Sequence, residues 1–462
     1  MPQKFKLYTP KWHSLPLKTR KRIWLERRRM QVFLKRRRKQ KKLHTKDLIE
    51  AHSAGRGRLQ YLRKEFQATS NLGYLKNKRS YIVTTPENFS FIHDADEAMN
   101  CIASLLAIPR NSKLKPRAKE IHIDQRRCKT IGLGATAVFD VCALLIRSEQ
   151  RLRSKGYRFT GSFPDDEQVC NQVKVMGITK HLEVAGTNAP KEFEDNVVQL
   201  PLQRGRKRNE DWKGKNDQES VSSRLAKYLN ECFTTASSFS LTQSATRQIL
   251  KWTGEIITNA EEHSGVDDWY AMACMLPMKT TSSAIIGKCE LVIFGFGKSI
   301  YQTLSSSSTP QDLREQIESL VTEHTKSGFF QHKYKPEDLW TLYALQEGVS
   351  SRHSVSAPGG TGTVRLIEAF QTLGQTVDDD KKPEMVLLSG STRIIFNQRY
   401  KMQPEDVEGG PRNIIAFNAQ NSLREKPDPK CVGSIEGFFP GTLLSFKFYV
   451  DQRFLETLPI QV

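Results

Sequence analysis

The sequence predicts an α/β protein of the α+β sandwich kind, in which a basic arm precedes two α/β regions. Three observations carry this expectation. A strand–helix–strand unit runs from Lys119 to Gly161, a polar break falls at Arg204–Ser220, and a helix from Leu241 to His263 carries separate polar and apolar stripes. They divide the chain into an arm over 1–58, a small α/β domain over 59–200, a polar linker over 201–220 and a C-terminal domain over 221–462. With 462 residues, 38% hydrophobic and 9% aromatic, the chain has apolar material for two or three ordinary cores.

No 18-residue apolar run occurs, and the opening MPQKFKLYTPKWHSLP lacks the apolar centre of a signal peptide. The expectation is a soluble, cytoplasmic protein without a membrane partner. Eight cysteines are scattered without a CxxC pair or a His cluster at ligand spacing. They read as reduced, structural thiols rather than a zinc site or a disulfide framework.

The arm is defined by charge. Residues 1–64 hold 22 Lys and Arg against 3 acids, a net +19 of the formal +21. The densest part is KTRKRIWLERRRMQVFLKRRRKQKKLHTK, Lys18 to Lys46. Such a block repels itself unless a polyanion neutralises it, and nucleic-acid phosphate is the commonest one. The candidate contacts are Arg27, Arg28, Arg29, Lys35, Arg36, Arg37, Arg38, Lys39, Lys41 and Lys42. Trp24 and Phe33 are interleaved and suited to stacking on unpaired bases, or to anchoring a basic helix on its own protein. DNA and RNA both remain open, as do an acidic partner protein, a solvated tail and a homodimer.

Between the arm and the polar break, KEIHIDQRRCKTIGLGATAVFDVCALLIRSEQRLRSKGYRFTG gives a short strand at Ile121–Asp124, a helix at Ala135–Arg153 and a second strand at 156–161. A crossover of this kind calls for a parallel pair. The unit resembles the STAS-like domain of anti-sigma-factor antagonists, in which a strand ending in Asp is followed by a Ser-Gly-Leu turn. Asp124 and Ile131-Gly132-Leu133 stand near those places, without the phosphorylatable serine.

In the third region the helix with EIITNAEEHSG sets Glu255, Asn259 and His263 four apart on one face, with Trp252, Ile256 and Ala260 beside them. Strands at 271–276 and 290–294 follow, then a glycine loop, GFGKSI, and a polar stretch with Arg352 and His353. A second loop, PGGTGT, opens a helix from Val364, and MVLLSG, TRIIF and GTLLSFKFYV read as strands. This order resembles the GHKL-type ATPase superfamily of gyrase, histidine kinases and MutL-like proteins. The resemblance implies a Bergerat-type domain with three helices on a mixed sheet, ATP and Mg²⁺ as cofactors, and ATP hydrolysis.

By that resemblance Asn259 ligates Mg²⁺ and Glu255 activates water. Gly295, Gly297, Ser299, Gly359, Gly360, Gly362, Thr363 and Thr442 line the nucleotide. The family's first loop begins with an Asp that reads the adenine amino group. Here Gly295 stands in its place, and Ser299 replaces the second glycine. Losing such a charged hydrogen bond costs about 1.5–3 kcal/mol. Glu290, five residues earlier, reaches in only if the strand bends. Three functions follow as alternatives: a nucleic-acid-associated, Mg²⁺-dependent ATPase, a nucleic-acid-binding scaffold with a weak or dead ATPase fold, and an anti-sigma-type serine/threonine kinase.

Overall fold

The computed structural model describes residues 56–75, 79–109, 120–151, 157–176, 196–206, 217–237, 239–263, 268–280, 284–325, 334–347, 349, 364, 367–368, 370–371, 376–377, 381–407 and 410–457. The chain divides after Ala54, and every described residue belongs to the unit from Gly55 to Val462. It is a mixed α/β structure built on two main sheets.

The smaller sheet has the order β1 (Gly73–Leu75), β2 (Ser80–Thr84), β4 (Glu120–Asp124), β6 (Arg158–Ser162). A two-residue pair, β3 (Asn88–Phe89) with β5 (Thr130–Ile131), lies outside it. β4 and β6 are parallel, as the strand–helix–strand unit requires, and α3 (Leu133–Arg151) is the helix between them. Val138, Val141, Leu144 and Leu145 of α3 are all buried. β2 is also parallel to β4, and the helix leading from β2 to β4 is α2 (Ala95–Leu106), with Asp94 as its N-cap.

The larger sheet has the order β10 (Glu384–Phe396), β13 (Val432–Val450), β9 (Ile285–Phe296), β8 (Asp268–Lys279), β7 (Val198–Arg206). The resemblance implies a mixed sheet, but all four pairings are antiparallel. The connection from β7 to β8 shows why. It contains two packed helices, α5 (Asp217–Ala236) and α6 (Gln243–His263). One helix carries the chain away and the second brings it back, so β8 starts beside Arg206, where β7 ends.

Residues 201–220, expected as a linker, include the second half of β7 and the first residues of α5. Pro201 is accommodated because β7 is an edge strand whose register shifts between Leu200 and Gln203. Arg204 and Arg206 have their counter-charge in Asp268, opposite them on β8.

Both faces of the larger sheet are covered. On one, Trp269, Ala271, Ala273 and Met275 of β8 share a core with Leu225 and Tyr228 of α5 and Ile256 and Ile257 of α6. Helical residues Ile367 and Phe370 join the same core, Phe370 lying 6.0 Å from the Phe446 ring. On the other face α2 and α3 pack against β13 and β9. The regions expected as separate domains, 59–200 and 221–462, are thus one compact body. Leu133 at the start of α3 donates its N–H to Glu290 of β9 at 2.7 Å, and the rings of Phe66, Phe91 and Phe296 cluster around Phe439 of β13.

The remaining helices are α1 (Arg56–Glu65), α4 (Glu167–Met176), α7 (Ile300–Leu304), α8 (Gln311–Thr325), α9 (Pro336–Tyr343) and α10 (Gln452–Leu455). β11 (Gln403–Val407) and β12 (Gly410–Ile414) form a hairpin. All eight cysteines are free and seven are buried. Among the described residues no helix is long and apolar enough to cross a membrane.

Candidate functional site

Helix α6 begins where the Thr242 hydroxyl accepts the Ala245 N–H, a side-chain N-cap. Its apolar stripe behaves as its spacing predicts: Ile256 is buried, and Trp252 and Ala260 pack against the core. Its polar stripe does not enter that core. Glu255 is half-buried and Asn259 is exposed. The Gln218 amide fixes the helix on α5 through the Gly254 carbonyl at 2.9 Å and the Thr258 hydroxyl at 2.7 Å.

The C-terminal part of α6 lies over the first glycine loop. A Cβ placed on Gly295 meets the Ala260 Cβ at 3.6 Å, ordinary contact, so α6 and β9 touch one residue after Asn259. Gly295 stands between Trp269 and Thr442 in the sheet register. The Trp269 indole passes across Gly205, where a Cβ would lie 1.9 Å from the ring, and donates to Glu261 of α6 at 2.7 Å. Glycine at 205 therefore permits the contact that ties α6 to the sheet.

Beyond Gly295 the loop is held by other elements. Gly297, at φ 144°, donates its N–H to the Pro440 carbonyl at 3.0 Å, and its own carbonyl accepts the Tyr61 hydroxyl of α1 at 2.9 Å. Ser299 is fully buried and caps α7 in a reciprocal pair with Gln302. The Ile300 N–H reaches the Ser389 hydroxyl at 2.8 Å, which meets Thr442 at 2.9 Å. Gly295, Gly297, Ser299 and Thr442 thus lie near one another, Gly295 alone against α6, with Lys298 exposed next to them. Glu290 does not join them. Five residues from Gly295, it faces the opposite side of the strand, where Lys288 pairs with it at 2.7 Å.

One part of this neighbourhood goes unforeseen in the sequence reading. At the start of α9, Glu337 and Asp338 meet the hydroxyl-rich bend of β10. Glu337 accepts from Ser391 at 2.5 Å and from Ser299 at 3.4 Å. Asp338, 1% exposed, accepts from Thr392 at 3.1 Å, Ser434 at 2.7 Å and the Lys335 N–H at 3.0 Å. Burial raises the Asp338 carboxyl above the ordinary range, against the opposing pull of those donors. The sequence signal is Pro336-Glu337-Asp338, proline and acids at a helix start.

Gly359, Gly360, Gly362, Thr363, Arg352, His353 and the ten arm residues from Arg27 to Lys42 lie outside the described residues. Among the described residues no group of three or more His, Cys, Asp and Glu gathers at metal-binding spacing. Comparison with known proteins returns no match, whether to a family model, a curated protein or a solved structure.

Proposed function

We propose that this chain is a nucleic-acid-associated ATP-binding protein, with a GHKL-type nucleotide site on the α6 side of the larger sheet and a polynucleotide site in the basic arm. The observation that carries the nucleotide reading is the approach of Ala260 to Gly295, which brings the helix bearing Glu255 and Asn259 against the strand that runs into the first glycine loop. The donor set fits. Asn259 offers an exposed amide oxygen of the hard type Mg²⁺ takes, and Mg²⁺ needs only one or two protein oxygens when phosphate supplies others. On this reading Glu255, one turn earlier, holds and deprotonates a water. ATP and Mg²⁺ supply a transferable phosphoryl group and its charge compensation when bound. The arm supplies salt-dependent affinity for phosphate backbones, which positions without reading bases.

A second reading is favoured by the loop itself. The polar groups of Gly297 are engaged by Pro440 and Tyr61, and Ser299 is consumed in its cap. On this reading the fold is a scaffold for the arm. Titration calorimetry of the full chain with ATP and Mg²⁺ separates the two. Heat that is lost in Asn259→Ala and kept in Glu255→Ala, with turnover absent from Glu255→Ala, is the expected result. No heat at millimolar ATP leaves the scaffold. In parallel, neutralising Arg36, Arg37 and Arg38 should flatten the salt dependence of polynucleotide binding, and unchanged binding at every salt concentration removes the arm's role.

A further inference from the structure

The smaller sheet carries a second chemical feature, independent of the nucleotide reading. Ile121, Ile123 and Phe159 of β4 and β6 point into the core, whereas Glu120, His122, Thr160 and Ser162 lie half-buried on the other face. Along that face the hydrogen bonds form one chain. The Thr160 hydroxyl is 2.6 Å from Glu120 Oε1, His122 Nδ1 is 3.0 Å from Thr160 Oγ1, and His122 Nε2 is 3.1 Å from Ser162 Oγ.

The polarity of the chain follows from its first member. An ionised Glu120 only accepts, and the Thr160 bond together with Arg158 at 3.0 Å lowers its carboxyl below the ordinary range. Thr160 therefore spends its proton on Glu120 and accepts from His122 Nδ1–H. In the neutral imidazole that leaves Nε2 with a lone pair, so the Ser162 hydroxyl donates to it. A serine within reach of a histidine whose other nitrogen is held by a third group is the arrangement that activates a nucleophile.

We infer that Ser162 is an activated nucleophile for acyl transfer from an ester, with His122 as its general base and Thr160 and Glu120 as positioning residues. Ser162 and Asp124 are register partners at the carboxyl ends of two parallel strands, the edge at which open α/β sheets take ligands. Two further contacts fix this rim. The Ser162 carbonyl accepts the Gln125 N–H at 3.0 Å, and the Arg126 guanidinium is fixed in a two-point pair on Asp124 at 2.9 and 2.6 Å. In the reaction Ser162 Oγ bonds to the ester carbonyl carbon, and the Oγ proton passes to His122 Nε2. The carbon–oxygen bond to the leaving group breaks, and that alkoxide takes the proton from His122.

An alkyl fluorophosphonate tests this on the full chain without nucleotide. The Oγ–phosphorus bond forms, phosphorus–fluorine breaks, fluoride leaves and the proton again goes to His122. Intact mass and peptide mapping should show a single adduct on Ser162, absent from Ser162→Ala. His122→Phe should slow labelling about a hundredfold or more, the usual contribution of a general base. Thr160→Ser should label at near the native rate and Thr160→Val far more slowly, with unchanged thermal midpoints showing that both remain folded. No adduct, an adduct on another residue, or equal rates in native and His122→Phe protein would overturn the assignment.

Discussion

The two sheets use polar side chains in opposite ways. In the smaller sheet, polar residues stand on a half-open face and alternate with a buried apolar set, as along β4, where Glu120, His122 and Asp124 are half-buried and Ile121 and Ile123 are buried. In the larger sheet both faces are covered, so buried acids in it and on the helix packed against it are met by partners within the structure: Glu290 by the Leu133 N–H of α3 and by Lys288 of its own strand, Asp268 by Arg58 of α1 and Arg204 of β7, and Asp338 of α9 by Thr392 and Ser434 of β10 and β13. The environments shift carboxyl groups in opposite directions, Glu120 down and Asp338 up. Covering the second face turns polar groups from available chemistry into internal structure.

The largest expected effect breaks the larger sheet at a glycine. Gly441 sits at φ 136°, and a Cβ there would lie 2.0 Å from the Gly295 carbonyl oxygen, a backbone atom that cannot turn away. Gly441→Ala should destabilise the protein by about 3 kcal/mol or more, combining strained backbone with overpacking. Gly73→Ala in the smaller sheet, where the added Cβ meets Ile82 at 3.4 Å, should shift stability by under about 1 kcal/mol. Denaturant midpoints of the two variants check the contrast, and equal shifts would remove it.

That contrast also explains what the sequence makes legible. The parallel pair β4–β6, the helix between them, α6 and the central parts of β8 and β9 follow from periodicity, because each is ordered by its own apolar pattern, while the antiparallel pairing of β8 with β9 is seen only in the fold. MVLLSG and TRIIF read as two strands but form the single β10, which continues through a bend at Gly390 with φ 61°. β7 is obscured because Arg204 and Arg206 find their counter-charge some sixty residues away at Asp268, which turns an apparent linker into an edge strand. Motif order names Gly295, Gly297, Ser299 and Thr442 for one site, and strand register and loop hydrogen bonds hold these positions near one another, whereas Glu337 reaches Ser299 only through the fold. The contact of α6 with Gly295 is likewise a tertiary fact with no local signature.

An intermediate effect is expected at Asp338. Asp338→Ala leaves the Lys335 N–H and two hydroxyls without their acceptor, and should cost about 1–3 kcal/mol. Asp338→Asn isolates the charge. Because burial raises this carboxyl, its contribution is full below the ordinary value of 3.8 and is lost as pH rises through the raised folded value. The stability of native protein relative to Asp338→Asn should therefore fall as pH increases across that window. A difference that stays constant with pH would show that the charge is not what the buried site penalises.

The smallest effect, and the opposite sign, is expected at Glu120. Its carboxyl is lowered first by the Thr160 hydroxyl and then by Arg158, so the folded state holds the ionised form more firmly than the unfolded chain does. That contribution is present above the ordinary value of 4.5 and disappears as pH falls through the lowered folded value. Arg158 is 77% exposed, so solvent screens the pair and the gain should stay under about 1 kcal/mol. Chemical denaturation of native protein and Glu120→Gln should give a small difference at neutral pH that closes in acid, and raising salt should shrink it further. A larger gap in acid than at neutral pH would reverse the polarity of the Glu120–Thr160–His122 chain, and with it the tautomer that leaves Nε2 free to accept from Ser162.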